Sequence, residues 1–201
     1  MLDHIVRPYI DPPLNRAGRM LANAGVSANA VTLGGFVIGL GAIPAIGTGH
    51  YLIGLGLLLA NRLSDGLDGA VARVRGPTDL GGYLDIVCDF ILYSGWAFAF
   101  ALADPAHAIP AAFLMLSFMG TGASFLAYAI FAAKRGITTE ISGSKSLYYL
   151  GGLTEGTETI LIFMAFCLAP QYFSVMAYAF AAACWVTTVS RILAAARSFR
   201  E

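Results

Sequence analysis

Apolar residues run along this chain in six long blocks with short polar breaks between them. The blocks are residues 29–47, 51–74, 81–103, 108–133, 147–169 and 172–194. Each is close to or above the roughly 20 residues that a helix needs to cross a bilayer. Three of the breaks, Gly47-Thr48-Gly49-His50, Asp104-Pro105 and Pro170-Gln171, carry turn-forming Gly and Pro. Lipid offers no partner to an unpaired backbone amide, so each block is read as a helix. The pattern predicts an all-α, polytopic membrane protein with six transmembrane helices. Ahead of the first block, Leu14, Ala17, Leu21 and Ala24 recur at helical spacing, with Asn15, Arg16, Arg19 and Asn23 on other faces. Residues 13–24 are therefore expected to form an N-terminal interfacial amphipathic helix, either a juxtamembrane anchor or a lid over a cytoplasmic site. The chain divides into a cytoplasmic N-terminal segment, 1–28, and a membrane domain, 29–201.

Composition agrees. Of 201 residues, 58% are hydrophobic and 12% are charged, against about 25% charged in a soluble domain. Mean hydropathy is +0.72. The first 27 residues mix Asp, Arg and Pro, so no cleavable signal peptide is expected. Net charge is zero, which gives no argument for a nucleic-acid partner. Cys88, Cys167 and Cys184 lie in apolar runs without metal or disulfide spacing and read as small buried hydrophobes.

Lys and Arg orient the helices. Arg7, Arg16 and Arg19 precede the first block. Arg73 and Arg75 lie at the end of the second, Lys134, Arg135 and Lys145 follow the fourth, and Arg191, Arg197 and Arg200 close the chain. The other three connections hold no Lys or Arg. Both termini are thus expected on the cytoplasmic side, as an even number of spans requires.

Against this background, the stretch LSDGLDGAVARVRGPTDLGGYLDIVCDF, residues 63–90, stands out for its five aspartates. Asp65 and Asp68 are three apart, and Asp85 and Asp89 four apart, so each pair shares a helix face. The two helices form a hairpin. At about 1.5 Å rise per residue, Asp68 and Asp85 each sit roughly 7 Å inside its end, with Asp65 and Asp89 about one turn deeper. Four carboxylates meeting at membrane depth cannot all stay charged unaided. Two divalent cations would cancel them, and all-oxygen ligands suit Mg²⁺, Mn²⁺ or Ca²⁺. Paired metals typically serve phosphoryl or phosphodiester displacement. A proton-sharing network or a cation site without chemistry is the plainer alternative. Gly66, Gly69, Gly81 and Gly82 would let a backbone or a ligand approach closely.

The run Asp65-x-x-Asp68-Gly69-x-x-Ala72-Arg73, then Gly81-x-x-x-Asp85-x-x-x-Asp89, resembles the signature of the CDP-alcohol phosphotransferase (CDP-alcohol phosphatidyltransferase) family. The motif covers about 25 residues, and the six-span layout fits the family over the whole chain. The family usually has about eight residues between the Arg and the next Gly, and here there are seven, which leaves Gly81 and Gly82 as alternatives for that glycine. The resemblance implies an integral-membrane, usually dimeric transferase of phospholipid synthesis in a bacterial inner membrane. An acceptor hydroxyl attacks a CDP-linked lipid and CMP leaves. By the same resemblance, Asp65, Asp68, Asp85 and Asp89 hold two divalent cations, Mg²⁺ or Mn²⁺, and Asp89 serves as general base. Asp65, Gly69, Ala72 and Arg73 lie at the CDP group. Positive-inside anchoring accounts for Arg73 as well. The expected partners are a CDP-linked lipid donor, CDP-diacylglycerol, a polar alcohol acceptor, membrane lipid and a second copy of the chain. Glycerol 3-phosphate is the favoured acceptor from chain length alone, with inositol phosphate, serine or another alcohol as alternatives.

Other residues remain candidates for the acceptor or for supporting the aspartates. Lys134, Arg135 and Lys145 lie on the aspartate side, where they either hold an anionic acceptor or set topology. Arg62, one turn before Asp65, needs a carboxylate or phosphate partner at that depth. Glu155 and Glu158, in GGLTEGTETI, are three apart and are expected to share a helix face, as part of an acceptor pocket or of interhelical hydrogen bonding. Gly35-x-x-x-Gly39 fits close helix packing. Tyr148 and Tyr149 read as interfacial aromatics. His4, His50 and His107 are isolated, and Asp79, expected in the loop, matches no motif position. A cation carrier would also place carboxylates in membrane helices. It should line a path to both sides, whereas these acids cluster at one end. A non-catalytic assembly factor that kept the fold is the third reading, and Asp85 and Asp89 argue against it.

Overall fold

The computed structural model describes residues 3–136 and 152–199, with side chains from residue 8 onward. Among the described residues, the elements are helical and no strand is present. The α-helices are α1 (Asp3–Asn23), α2 (Ala28–Gly47), α3 (Tyr51–Arg75), α4 (Asp79–Ala103), α5 (Ala108–Lys134), α6 (Gly156–Leu168) and α7 (Phe173–Ser198). Short 3-10 turns at Pro105–His107 and Pro170–Tyr172 lead into α5 and α7.

Local chemistry sets the helix ends, at the predicted break after residue 47 among others. At the end of α2, Gly49 takes a positive φ of 82°. This left-handed turn lets His50 N–H reach Ala45 O at 2.8 Å and Gly49 N–H reach Ile46 O at 2.9 Å, satisfying the last carbonyls. Gly25, at φ 89°, ends α1 in the same way, with Val26 N–H donating to Leu21 O at 3.0 Å. Ser27 and Thr78 then cap α2 and α4, accepting from Ala30 N–H at 3.2 Å and Gly81 N–H at 3.0 Å.

Four of these segments are long and apolar enough to cross a membrane: Ala28–Gly47, Asp79–Ala103, Pro105–Lys134 and Pro170–Ser198. Helix α3 matches them in length, at 25 residues. Arg62, Asp65, Asp68, Arg73 and Arg75 dilute its apolar character. Helix α6 is 13 residues long and starts at Gly156 rather than near residue 147; residues 147–151, with Tyr148 and Tyr149, lie outside the described residues. Helix α1 begins ten residues before the expected start at Pro13. Pro8, Pro12 and Pro13 are all exposed, so their rings sit on the outer side of the helix. Asp79 is not in a loop but in the first turn of α4, where the helix dipole favours a carboxylate.

Helix α2 packs against both α3 and α4, α1 covers α3, α5 joins α4 to α7, and α6 leans on α3 and α7. Close approach rests on small residues. A methyl group added at Gly35 would lie 2.6 Å from Ser64 Cβ of α3, and one at Gly39 would lie 2.7 Å from Leu92 Cδ1 of α4. The Gly35-x-x-x-Gly39 pattern is thus a packing seam. Below the aspartates, Trp96, Phe100, Phe163, Phe166 and Phe173 are buried in one aromatic cluster joining α4, α6 and α7. Phe100 and Phe173 stack with centroids 4.5 Å apart, and Phe163 meets Trp96 edge-on at 5.5 Å. This rigid layer supports the polar end of α4.

Candidate functional site

The polar faces of α3 and α4 meet one turn inside the hairpin. Asp65 and Asp68 project from α3 and Asp85 from α4. One carboxylate oxygen from each lies within 4.8 Å of the others. That spacing suits three ligands converging on one hard divalent cation. Asp68 is buried and Asp85 is exposed, so the cluster opens toward the end of the bundle. Asp89, one turn deeper, lines the same small cavity as the other three aspartates. The four aspartates that the sequence singled out thus line one cavity between two helices, three of them closely grouped.

Asp89 makes the closest ion pair of the cluster with Arg62. Its carboxylate receives the guanidinium of Arg62, Nη2 to Oδ1 at 2.6 Å and Nη1 to Oδ2 at 3.2 Å. The Arg62 side chain is only 7% exposed. Its Nε and Nη2 donate to Asn61 Oδ1 at 2.8 and 2.6 Å, and Nη1 donates to Tyr93 Oη at 2.8 Å. Tyr93 Oη in turn donates to Asp89 Oδ2 at 3.2 Å. The guanidinium lies over the rings of Tyr93 and Trp96, 5.2 and 5.6 Å from their centroids. Asp65 Oδ2 stands 3.8 Å from Arg62 Nη1. The partner that the depth of Arg62 demands is thus a carboxylate of this site.

Helix α2 contributes what the sequence did not signal. Thr32 Oγ1 donates to Asp68 Oδ2 at 2.5 Å. Asn61 Nδ2 donates to Gly35 O at 2.9 Å and Trp96 Nε1 to Gly39 O at 2.9 Å, pinning the seam to α3 and α4. Tyr93 and Trp96 follow Asp85 and Asp89 along one face of α4, so helical periodicity carried to the next turn finds them. Thr32 heads a buried stripe with Gly35, Gly39, Ala42 and Ile46.

The remaining candidates divide. Gly69 sits on α3 with Arg73 Nη1 3.5 Å from where its Cβ would be. Arg73 holds Asn15 Oδ1 of α1 through Nε and Nη2 at 3.0 and 2.9 Å; Gly69, Ala72 and Arg73 lie on α3 beyond the residues that line the aspartate cavity. Gly66 faces Leu14 of α1, so its smallness serves helix approach. Gly81 meets Asn29 and Thr78 at the start of α4. Lys134 and Arg135 are exposed at the end of α5, with Arg135 over the ring of Phe199 at 5.3 Å; neither lines the aspartate cavity. Lys145 lies outside the described residues. Glu155 and Glu158 do not share a face within a helix: Glu155 is the N-cap of α6 and Glu158 its third residue. Their side chains cap each other's backbone, Glu158 Oε2 accepting from Glu155 N–H at 3.1 Å. The helix starts later than its hydrophobic run, because the capping box breaks it at Glu155.

The family model for CDP-alcohol phosphatidyltransferases matches residues 25–193. The chain belongs to the CDP-alcohol phosphatidyltransferase family. It is accordingly a transferase of phospholipid synthesis and a membrane protein. Among curated proteins, this phosphatidyltransferase is 49% identical to "Inner membrane protein YnjF" of Escherichia coli (strain K12), over 96% of this chain and 94% of that one. It is 29% identical to "Archaetidylinositol phosphate synthase" of Pyrococcus horikoshii, over 93% of each. Among solved structures, phosphatidylinositol phosphate synthase of Mycobacterium tuberculosis with CDP-DAG bound superposes with a TM-score of 0.70. The identity is 24%, covering 90% of this chain and 92% of that one. The same enzyme in complex with manganese and citrate gives 0.68 at 23% identity, covering 90% and 88%. These likenesses establish that the fold is shared.

Proposed function

We propose that the chain transfers a phosphatidyl group from CDP-diacylglycerol to the hydroxyl of a polar alcohol, releasing CMP. The observation that carries this reading is the convergence of Asp65, Asp68 and Asp85 within 4.8 Å, with Asp89 on the same cavity, in a member of this family. Three hard oxygen donors fit Mg²⁺ or Mn²⁺, and Asp89 is the fourth residue we assign to holding a second ion. A divalent cation held by these aspartates would supply charge neutralisation for the pyrophosphate oxygens and the departing CMP. Asp89 takes the proton of the acceptor hydroxyl as the new O–P bond forms and the P–O bond to CMP breaks. Arg73, with Gly69 and Ala72 on the same helix, faces the cytidine diphosphate group. Its charge suits the phosphates, and the small residues leave the nucleotide room.

We assign the acceptor to the alcohol phosphates. Chain length favours glycerol 3-phosphate. The archaetidylinositol phosphate synthase relative favours inositol phosphate. Lys134 and Arg135 are exposed cations suited to drawing such an anion in from water. The capping box accounts for Glu155 and Glu158 without an acceptor. We further propose six membrane helices, counting α3 and α6, with both termini and the aspartates on the cytoplasmic side of a bacterial inner membrane. The family resemblance leads us to expect a dimer.

The test is direct. Purified protein is incubated with CDP-diacylglycerol, Mn²⁺ and a panel of alcohols that includes glycerol 3-phosphate, inositol phosphate and serine. CMP release with one of them is the expected result. Bound nucleotide with no release for any acceptor would overturn the transferase reading.

A further inference from the structure

Arg62 places a fixed positive charge inside the carboxylate cluster. It touches Asp89 at 2.6 Å and stands 3.8 Å from Asp65. With the guanidinium counted, four ionised carboxylates leave three negative charges rather than four. The cation is also anchored. Asn61 holds it from below and is itself tied to Gly35 O, while Tyr93 both accepts from it and donates to Asp89. A side chain that is 7% exposed and held by three polar partners is part of the site's architecture, not a mobile surface charge.

We propose that Arg62 is a positioning residue that acts as a built-in cation of this site. It clamps the Asp89 carboxylate in one orientation, and it limits how tightly the cluster binds divalent metal. The clamp fixes both oxygens of Asp89 through a two-point contact, which a single ammonium cannot reproduce. The limit follows from Coulomb repulsion. A cation ligated by Asp65 would lie close to the Arg62 charge, and the guanidinium, only 7% exposed, is weakly screened by solvent. Bare, the four carboxylates would bind divalent ions more strongly and order Asp89 less. This inference rests on the proposed reading of the aspartates as metal ligands with Asp89 as base.

Mn²⁺ binding to the detergent-solubilised chain, followed by the electron paramagnetic resonance signal of free Mn²⁺, tests it without substrate. Arg62→Gln removes the charge and is expected to bind Mn²⁺ more tightly, on the order of tenfold, while turnover with CDP-diacylglycerol falls. Arg62→Lys keeps the charge and is expected to hold Mn²⁺ like the parent, yet to turn over more slowly with KM little changed. Unchanged or weakened Mn²⁺ binding in folded Arg62→Gln would overturn the proposal, since a structural prop would not tighten it. If that variant does not fold, the charge-neutral pair Arg62→Gln with Asp89→Asn decides. Asp89→Asn alone leaves Arg62 facing the metal site and should weaken Mn²⁺ binding. Adding Arg62→Gln should restore it, and failure to restore it sinks the idea. The binding arm stands whichever acceptor works. Loss of the transferase reading would show as absent CMP release with Mn²⁺ binding still responding to residue 62.

Discussion

The hydroxyl of Thr32 on α2 donates to Oδ2 of Asp68 on α3 at 2.5 Å, across 36 residues of sequence. Asp68 is buried, so that bond decides which oxygen is free to face a cation. The same hydroxyl lies 3.1 Å from Ala28 O, and its single proton serves the charged partner better. Partners that orient a metal ligand typically govern 10–100-fold in affinity or activity. Thr32→Val is expected to keep the fold and weaken Mn²⁺ binding by on the order of tenfold, while Thr32→Ser stays near the parent. Titration with Mn²⁺ checks both. A Val variant with parental affinity would remove Thr32 from the site.

Asp89→Asn is expected to fold and to lose nearly all turnover. The amide oxygen still accepts from Arg62, and Asn61 and Tyr93 still hold the guanidinium, so the break in the buried pair is partial. What disappears is the ability to take a proton from the acceptor. CMP release at saturating donor and acceptor is the measurement, with a thermal melt as control for folding. Activity close to that of the parent would assign the base elsewhere.

Much of this site was legible in the sequence, because its parts are local. Asp65 with Asp68 and Asp85 with Asp89 obey helical spacing, and the short link between Arg75 and Asp79 keeps the polar ends of the two helices close enough for their carboxylates to meet. The contacts missed are those between distant segments. Thr32 reaches Asp68 only because Gly35 and Gly39 let α2 sink between α3 and α4, and a Gly-x-x-x-Gly pattern does not say which helix it meets. The depth of Arg62 demanded an anion but did not choose between ligand and carboxylate; the fold brings Asp89 to it. At α6, hydropathy ran past the real helix start, because a capping box is a hydrogen-bond pattern that hydropathy does not register.

Gly18 on α1 packs against α3 with no room for a side chain. A Cβ there would lie 2.9 Å from the carbonyl carbon of Ala70 and 3.1 Å from Val71 N. Backbone cannot yield as a side-chain tip can. Gly18→Val should therefore push α1 off α3, at a cost of about 1–3 kcal/mol, and loosen the Asn15–Arg73 bonds. The expected outcome is a lower melting temperature and a raised KM for the CDP-linked donor, measured on the same preparation. An unchanged melt would mean that α1 contributes nothing to the fold it covers.

The capping box at α6 separates structure from chemistry for Glu155 and Glu158. Together they satisfy backbone donors at the N-terminus of α6 that would otherwise be unpaired in a low-dielectric surrounding. Just before α6, Thr187 Oγ1 of α7 accepts from Leu153 N–H and Thr154 N–H at 3.1 and 3.2 Å, so the whole entry to α6 is tied down by hydrogen bonds. Loss of one cap costs about 0.5–2 kcal/mol. Glu155→Ala should lower stability by about that amount and leave the KM for the acceptor alcohol near the parent value, while Glu155→Ser, which keeps a capping oxygen, should recover most of the stability. A residue that bound the acceptor would behave oppositely: its alanine variant would raise the acceptor KM, and serine would not restore it. Melting temperature and acceptor KM measured across the three proteins separate the two roles.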